Sequence, residues 1–332
     1  MRWPGIDDER DGQTHLFDAD GMTGPERGTG RMSGLEFHHV AAKRIVNPVP
    51  ETSGVPFRWT INAYRGCSHG CVYCFARPTH EYLGLDAGRD FDTRIVVKVN
   101  AVEKLRAELK DPAWGGEHIA MGTNTDPYQR AEGKYRLTRG IVETLGEARN
   151  PFSILTKSAL VTRDVNVLVA AAARTDVRVS FSVGTVDEEV WRATEPGTPH
   201  PRRRLDAMRR LADAGVRVGA LMAPVLPGLS DRRDQIDATV AAILDAGGSV
   251  RTAMPLYLRG ATREVYLQWL QQYDPDLHQR YLAAYEGRTH LRPDYLEWVD
   301  RAVIAAVERH GGPRSGIAAA HTGNRWPARP HA

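Results

Sequence analysis

The feature that most constrains the fold of this chain is a serial alternation of strand-like and helix-like segments along its middle. The strand-like segments are nearly continuous in β-branched and aliphatic residues, as expected when helices cover both faces of a sheet. We predict strands within residues 57–64, 93–100, 117–123, 152–158, 177–185, 216–224 and 250–258. Serial βα units predict a parallel sheet with right-handed crossovers, either a barrel or an open doubly wound sheet.

Amphipathic segments separate these strands, with apolar residues at three- and four-residue spacing and a glycine stop signal after two of them. Beyond Leu258 the chain predicts three more helices, whose many Trp and Tyr residues we interpret as packing residues. The predicted organisation is a mobile tail at 1–35, a βα core at 36–260, C-terminal helices at 261–312 and a basic flexible tail at 313–332.

Composition indicates a soluble globular protein, because 42% of the 332 residues are hydrophobic and 26% are charged. The net charge of +3 permits a polyanionic partner without requiring one. No apolar run is long enough to cross a bilayer, and the first residues lack the basic and then apolar order of a signal peptide. Three cysteines exclude a disulfide framework. We therefore predict a cytoplasmic protein with no membrane partner.

All three cysteines lie within eight residues, in the loop after the first predicted strand, as Cys67, Cys71 and Cys74. This loop carries no Gly-rich phosphate fingerprint, which argues against a dinucleotide-binding fold. Soft thiolates at this spacing suit three corners of a cubane iron–sulfur cluster and leave its fourth iron without a protein ligand. An open position is useful where another molecule binds, as in catalytic metal sites.

Two other interpretations of the cysteines stay open. A zinc site could recruit His69 or His80 as the fourth ligand, although structural zinc usually takes two ligand pairs separated by a longer loop. The thiols could also be buried and inert, but three within eight residues of a Gly-flanked loop are improbable by chance. The spacing favours the iron–sulfur interpretation over both.

The cysteine spacing, with the aromatic Tyr73 before the third cysteine, resembles the radical S-adenosylmethionine (radical SAM) superfamily. The string NAYRGCSHGCVYCFARPTHEYLGL resembles the spore photoproduct lyase-like branch, as do KVNAVEKLRAEL, GTNTDPYQ and ILTKSALVTRDVNVL. This resemblance extends from about residue 57 to 258. It implies an α/β fold, a partial (β/α)6 TIM-type barrel of parallel strands followed by C-terminal helices.

The resemblance also implies a cofactor set. The three cysteines would hold a [4Fe–4S] cluster, and the amino and carboxylate groups of S-adenosyl-L-methionine (SAM) would bind its fourth iron. An electron from an external reductant of the flavodoxin or ferredoxin type would cleave SAM to methionine and a 5′-deoxyadenosyl radical that abstracts hydrogen from a substrate.

Polar residues near the ends of the predicted strands are candidate contacts for SAM. Asp126 is the candidate for its ammonium group, Lys157 for its carboxylate, and Ser182 for the carboxylate or the ribose. Glu195 is the candidate for the ribose hydroxyls, and Arg204 supplies a second cation. The remaining candidates are Asn124 and Thr125 beside Asp126, and Tyr73, Phe75 and Met222 near the adenine.

The resemblance suggests DNA or RNA as the substrate, with which the arginine-rich sequence is compatible. One departure matters, because spore photoproduct lyases use an additional cysteine to return hydrogen to the product radical. All the cysteines of this chain are committed to the loop, so Tyr128 is the candidate hydrogen donor in its place. We predict that the protein does not repair spore photoproduct efficiently.

Two alternatives stay open for the function. The first is a radical SAM enzyme that acts on a protein, a peptide or a small metabolite. The second is a non-catalytic module that uses an iron–sulfur cluster or zinc structurally. The chain has no further cysteines for a second cluster, which argues against methylthiotransferases and many peptide-maturing enzymes.

Overall fold

The computed structural model describes residues 25–313, so the rest of both predicted tails lies outside the described residues. The strands are β1 (Glu26–Arg27), β2 (Glu36–Val40), β3 (Val46–Pro48), β4 (Trp59–Ile61), β5 (Tyr64–Arg65), β6 (Arg94–Lys98), β7 (Ile119–Met121), β8 (Phe152–Thr156), β9 (Val177–Ser182), β10 (Arg217–Val225) and β11 (Val250–Pro255). The helices are α1 (Arg89–Thr93), α2 (Ala101–Glu108), α3 (Glu132–Tyr135), α4 (Leu137–Glu147), α5 (Val165–Ala172), α6 (Glu188–Thr194), α7 (Pro201–Asp213), α8 (Arg233–Asp245), α9 (Gly260–Tyr273), α10 (Pro275–Ala284) and α11 (Pro293–Arg309).

The main sheet has seven strands in the order β11-β10-β9-β8-β7-β4-β3. Six of them are parallel, and β3 is antiparallel to β4 at one edge. Among the described residues β3 and β11 do not pair, so the sheet stays open between these edges. The predicted partial barrel of six parallel strands is thereby confirmed as the fold.

A second sheet of four strands, in the order β1-β2-β6-β5, accounts for the main difference from the predicted arrangement. The segment predicted at 93–100 does form a strand, β6, but it pairs with β2 and β5 instead of joining the main sheet. In addition, β1 pairs with β2, so part of the segment predicted as a mobile tail at 1–35 has regular structure. Apolar content identified the strand β6 but not its partners.

The three predicted C-terminal helices are present as α9, α10 and α11. Their aromatic residues pack as predicted: Tyr266, Tyr281 and Tyr285 are buried, and the rings of the last two stack with centroids 5.6 Å apart. Within residues 25–313 no helix is both long and apolar enough to cross a membrane.

Alternation along the strands separates two faces of the main sheet. On β9, Val177, Val179 and Phe181 belong to the main hydrophobic core, which also contains residues of the flanking helices. The residues between them therefore lie on the opposite face, toward the inside of the open barrel. We call this the inner face, and Ser180 and Ser182 lie on it.

Candidate active site

The cysteine loop, residues 66–74, directly follows β5, and two residues separate β5 from the main-sheet strand β4. Gly66 begins it with a φ of +76°, and a Cβ there would lie 2.9 Å from the Phe91 carbonyl oxygen and from the His80 ring. The backbone of the loop therefore passes too close to its neighbours for any side chain at this position. The Cys67 N–H then donates to the same Phe91 oxygen over 2.9 Å.

Side chains distant in sequence hold the first part of the loop. Gln129 accepts a hydrogen bond from the Ser68 N–H at 3.0 Å and donates one to the Gly66 carbonyl at 2.9 Å. The Thr125 hydroxyl donates to the same carbonyl at 2.6 Å. Thr125, a predicted SAM contact, thus supports the cysteine loop, and Gln129, which no sequence motif indicated, shares this role.

The second part of the loop is held by Arg77, which is almost fully buried. Its guanidinium donates to the Cys71 carbonyl at 2.9 and 3.1 Å and pairs with Asp92 at 3.0 Å. The hydroxyl of Thr262, from α9, donates to the Cys74 carbonyl at 2.9 Å. Neither residue was predicted, because a side chain that holds a loop through its carbonyls leaves no spacing signature.

The three thiols are free, with Cys67 and Cys71 buried and Cys74 partly exposed. Burial raises the pKa of all three, while nearby Arg77 and Lys157 oppose this effect at Cys74. Binding of a metal would displace the thiol protons. A set made only of soft sulfur donors, buried beside cations that offset thiolate charge, fits an iron–sulfur cluster.

The predicted alternative with zinc required His69 or His80 as a fourth ligand. The Nδ1 of His69 lies 3.4 Å from the Asp126 carboxylate, and the Nε2 of His80 lies 3.0 Å from the Arg94 carbonyl. Both imidazoles therefore have one nitrogen occupied by other partners. Within residues 25–313 no group of three or more His, Cys, Asp or Glu side chains is arranged around a single metal ion.

A buried ionic network adjoins the loop, and Glu195 lies at its centre. Its carboxylate accepts hydrogen bonds from the Tyr73 hydroxyl, from the Arg204 guanidinium and, at 3.1 Å, from Thr198. Arg204 is only 1% exposed. Burial acts to raise the pKa of Glu195, but Arg204 and Lys157 outweigh it and hold this pKa at about 2. The carboxylate is therefore ionised at neutral pH.

Lys157 is the residue of this network whose ammonium group has unused hydrogen-bond donors. Its ammonium contacts the Ser182 hydroxyl, lies 4.0 Å from Glu195 and sits 5.6 Å from the centre of the Tyr73 ring. The Ser182 hydroxyl donates onward to the Ala223 carbonyl at 2.9 Å. An ammonium has three donors, so Lys157 can bind an additional anionic group.

Asp126 is already engaged by the protein. One carboxylate oxygen accepts from the Tyr128 N–H at 2.8 Å and the Thr156 hydroxyl at 2.7 Å. The other accepts from the Lys157 N–H at 2.7 Å. These bonds leave Asp126 as a connection between two strand ends, with little free capacity for the ammonium of a ligand.

The other predicted residues are more scattered. Asn124 is exposed beside the loop, and Phe75 is 52% exposed next to Cys74. Met222 and Tyr128 lie instead in the main hydrophobic core, on the helix side of the sheet. Alternation on β10 turns Met222 away from the inner face, and Tyr128 is held near Asp164 rather than beside the cysteines. The structure does not bring either of these two residues to the site.

A close backbone contact joins the cysteine loop to the ionic network. The Gly197 N–H donates to the His69 carbonyl at 2.9 Å, and a Cβ at Gly197 would lie 2.2 Å from the Ser68 oxygen. Only glycine fits this approach. The loop and the segment that carries Glu195 are thus in direct contact.

A known family matches the part of the chain that contains both the three-thiol loop and the buried ionic network. Residues 61–243 match the family model of the radical SAM superfamily, and the chain belongs to this superfamily.

The relatives and similar structures extend this result. An uncharacterised protein of Mycobacterium tuberculosis is 43% identical over 280 residues, which cover 84% of this chain and 82% of the relative. An uncharacterised protein of Methanocaldococcus jannaschii is 29% identical over 199 residues, 60% of this chain and 71% of that protein. Spore photoproduct lyase complexed with dinucleoside spore photoproduct has a similar fold, with a TM-score of 0.63 at 16% identity over 90% of this chain and 86% of that one.

Proposed function

We propose that this protein is an enzyme that reductively cleaves SAM and uses the resulting radical to abstract hydrogen from a nucleic-acid substrate. Cys67, Cys71 and Cys74 would hold a [4Fe–4S] cluster. When bound there, the cluster supplies the electron that cleaves SAM into methionine and a 5′-deoxyadenosyl radical. The observation that carries the proposal is the contact between a loop of three thiols and a buried network with one available ammonium group.

Within this proposal the side chains of the network have separate roles. Lys157 donates to the carboxylate of SAM, because its side chain is 13% exposed and its ammonium has unused donors. Glu195, ionised at neutral pH, accepts hydrogen bonds from hydroxyl or ammonium groups. Arg204 is buried behind Glu195 and fixes its orientation. Burial of these groups excludes water, which strengthens each charge–charge interaction.

Support for a nucleic-acid substrate comes from exposed arginines around the loop. The Arg130 N–H donates to the Ser68 hydroxyl at 3.2 Å, and its side chain is exposed. Arg202 and Arg203 are exposed in the first turn of α7, four and five residues after Thr198. Within the described residues no ion pair involves any of the three, so each is available for phosphate.

The electron donor is part of the same proposal. We expect a one-electron reductant of the flavodoxin or ferredoxin type to dock where Cys74 and Phe75 reach the surface. Thiol ligands of a cluster need a reducing compartment, and for this reason we propose the cytoplasm.

Anaerobic reconstitution with iron and sulfide tests the proposal. We expect a brown protein that converts SAM and dithionite to methionine and 5′-deoxyadenosine. Stoichiometric zinc without SAM cleavage would instead support the non-catalytic module. With spore photoproduct as substrate we expect no sustained conversion to thymines, because no cysteine is left to return hydrogen.

A separate experiment tests the substrate class. Binding of a labelled single-stranded oligonucleotide should weaken with salt, and the triple change Arg130→Gln, Arg202→Gln and Arg203→Gln should lower the salt slope by about two to three. Arg210→Gln is a matched control, since Arg210 is exposed on the same helix α7 but near its other end. Equal slopes for all proteins would favour a protein, peptide or small metabolite as substrate.

A further inference from the structure

The inner face of the main sheet is unusually small and polar in its lower half, toward the amino ends of the strands. In barrel enzymes bulky branched residues usually fill this space. Here the register instead aligns Thr60, Ala120 and Ser153 across β4, β7 and β8. Ser180 pairs with Gly219 across β9 and β10, one step higher. Long side chains from neighbouring strands can therefore lie across these short ones, although Leu155, the β8 partner of Ser180, is larger.

Strand alternation places one arginine on this inner face. Arg178 is on β9, four residues before Ser182 and on the same inner face. At about 3.3 Å per residue it lies about 13 Å below Ser182, measured along the strand. Its register partner on β8 is Ser153, so the neighbouring side chain on that strand is a small hydroxyl.

The side chain of a second arginine extends from β11 to the same inner face. The pairing of β10 with β11 is irregular between Ala220 and Leu221, and Arg251 has no register partner there. Its side chain lies across Gly219, where an added Cβ would meet the Arg251 Cγ at 2.9 Å. Gly219 is beside Ser180, and Ser180 is two residues after Arg178 on the same face of β9, so both arginines lie near this pair of small residues.

The charges of these two arginines are not balanced by the protein. Both are half-buried, and within residues 25–313 neither guanidinium group donates a hydrogen bond or forms an ion pair. Burial and the guanidinium groups of Arg251 and Arg217 lower the pKa of Arg178. The nearest acid, Asp176, already pairs with Arg217 at 2.6 Å. The result is an excess of positive charge with many unused donors.

We propose that Arg178 and Arg251 form a binding site for a phosphate group of the substrate on the inner face. Two guanidinium groups match a phosphate, because each can donate two parallel hydrogen bonds and together they balance up to two negative charges. The separation from Ser182 makes this site distinct from the proposed SAM contacts. The inference rests on the proposed function for the identity of the ligand, and it assigns to the inner wall a part in substrate binding.

Binding of a fluorescein-labelled single-stranded deoxyoligonucleotide to the reconstituted protein, without reductant, tests this site. Arg178→Gln and Arg251→Gln should each weaken binding about tenfold and lower the salt slope by about one. Arg178→Lys should weaken binding less, because lysine keeps the positive charge but not the two parallel donors of a guanidinium group. Arg174→Gln is the control, since Arg174 is exposed just after α5 on the outer layer, and it should bind within twofold of wild type.

Competition with thymidine 5′-monophosphate distinguishes the source of the phosphate. Displacement of the oligonucleotide from wild type but not from Arg178→Gln would assign the site to a terminal phosphate, and no displacement would assign it to an internal diester. Affinities of Arg178→Gln and Arg251→Gln equal to that of Arg174→Gln would overturn the proposal. Cleavage of SAM by wild type is assayed separately, so its absence would reject the proposed function while the binding comparison could still be read.

Discussion

Two buried carboxylates of this protein have similar surroundings, but the groups around them differ in whether hydrogen-bond donors remain unused. Glu195, beside the cysteine loop, accepts from a tyrosine hydroxyl and an arginine. Glu132, at α3, likewise accepts from the Tyr64 hydroxyl at 2.5 Å and from Arg163 at 2.8 Å. We call these groups the site network and the core network. Burial, a tyrosine and an arginine are common to both, so none of these features alone marks a functional site.

The difference lies in what remains available after the protein contacts are made. Glu132 also accepts two backbone N–H groups at 3.0 and 3.3 Å, and Arg163 is bound to the neighbouring Asp164 as well. The core network is therefore closed. In the site network, Lys157 is partly exposed and has donors that no described residue uses. Unused donors beside a buried charge are the better indicator of a ligand site.

The change with the largest expected effect is Cys71→Ala, which removes one of the three thiols. We expect complete loss of the iron–sulfur absorption and of SAM cleavage, because the remaining two cysteines cannot hold the cluster. Iron content and 5′-deoxyadenosine are the measurements. The closed core network offers the control, since Glu132→Gln should retain iron; full iron content in Cys71→Ala would contradict the assignment of the ligands.

Lys157→Ala tests whether the unused donors of the site network bind SAM. Loss of a charge-assisted hydrogen bond of about 2 kcal/mol should weaken SAM binding about thirtyfold and leave the iron content unchanged. Equilibrium dialysis against SAM measures the affinity. Lys134→Ala is the matched control, because Lys134 is partly exposed and pairs with Glu26. Loss of iron in the Lys157 variant would show that this lysine supports the loop instead.

Glu195→Gln and Glu132→Gln compare the two networks directly. Glu195→Gln leaves the buried Arg204 without its carboxylate partner and should lower the free energy of unfolding by about 3 kcal/mol. Arg163 keeps Asp164 as a counterion in Glu132→Gln, so the loss of stability there should be smaller. Only Glu195→Gln should also weaken SAM binding. Urea denaturation and SAM titration of the two variants give both quantities, and a similar loss of SAM affinity in Glu132→Gln would remove the distinction between the networks.

The last expected effect concerns the pH dependence of stability, where the change is spread over a range of pH. The pKa of Glu195 is about 2 in the folded protein and 4.5 for an ordinary glutamate. Its ionisation therefore stabilises the fold by about 3 kcal/mol above pH 4.5, and this contribution is lost as the pH falls from about 4.5 to 2. The stability gap between wild type and Glu195→Gln should be constant above that range and close within it. Urea denaturation at pH 7, 4.5 and 3 measures it, and a gap that persists unchanged to pH 3 would refute a lowered pKa.

Much of this molecule was predictable because local patterns determine it. Apolar runs identify each strand of the main sheet except the short edge strand β3. The polar residues selected at strand ends include Lys157 and Ser182, which contact each other in the structure. The pairing of β6 was not predictable, because the partners β2 and β5 are short and polar and local pattern does not encode register.

The direction of individual side chains was harder to predict. Met222 is predicted near the adenine because it lies toward the end of a predicted strand, yet alternation along β10 turns its side chain into the hydrophobic core. Arg178 and Arg251 lie near the starts of apolar strands, where a sequence gives no reason to expect a ligand. Arg77 was missed because it acts through the backbone carbonyl of Cys71, and such bonds depend on the folded path of the chain.

The contacts that hold the cysteine loop also determine when during synthesis the loop can take its final shape. The cysteines lie in the first quarter of the chain, but the groups that hold their loop come from Gln129, Gly197 and Thr262. A ribosome delivers the thiols long before it delivers the last of these contacts. The loop therefore reaches its final shape only when most of the chain has been synthesised, so iron insertion into a formed loop is a late event in the life of the polypeptide.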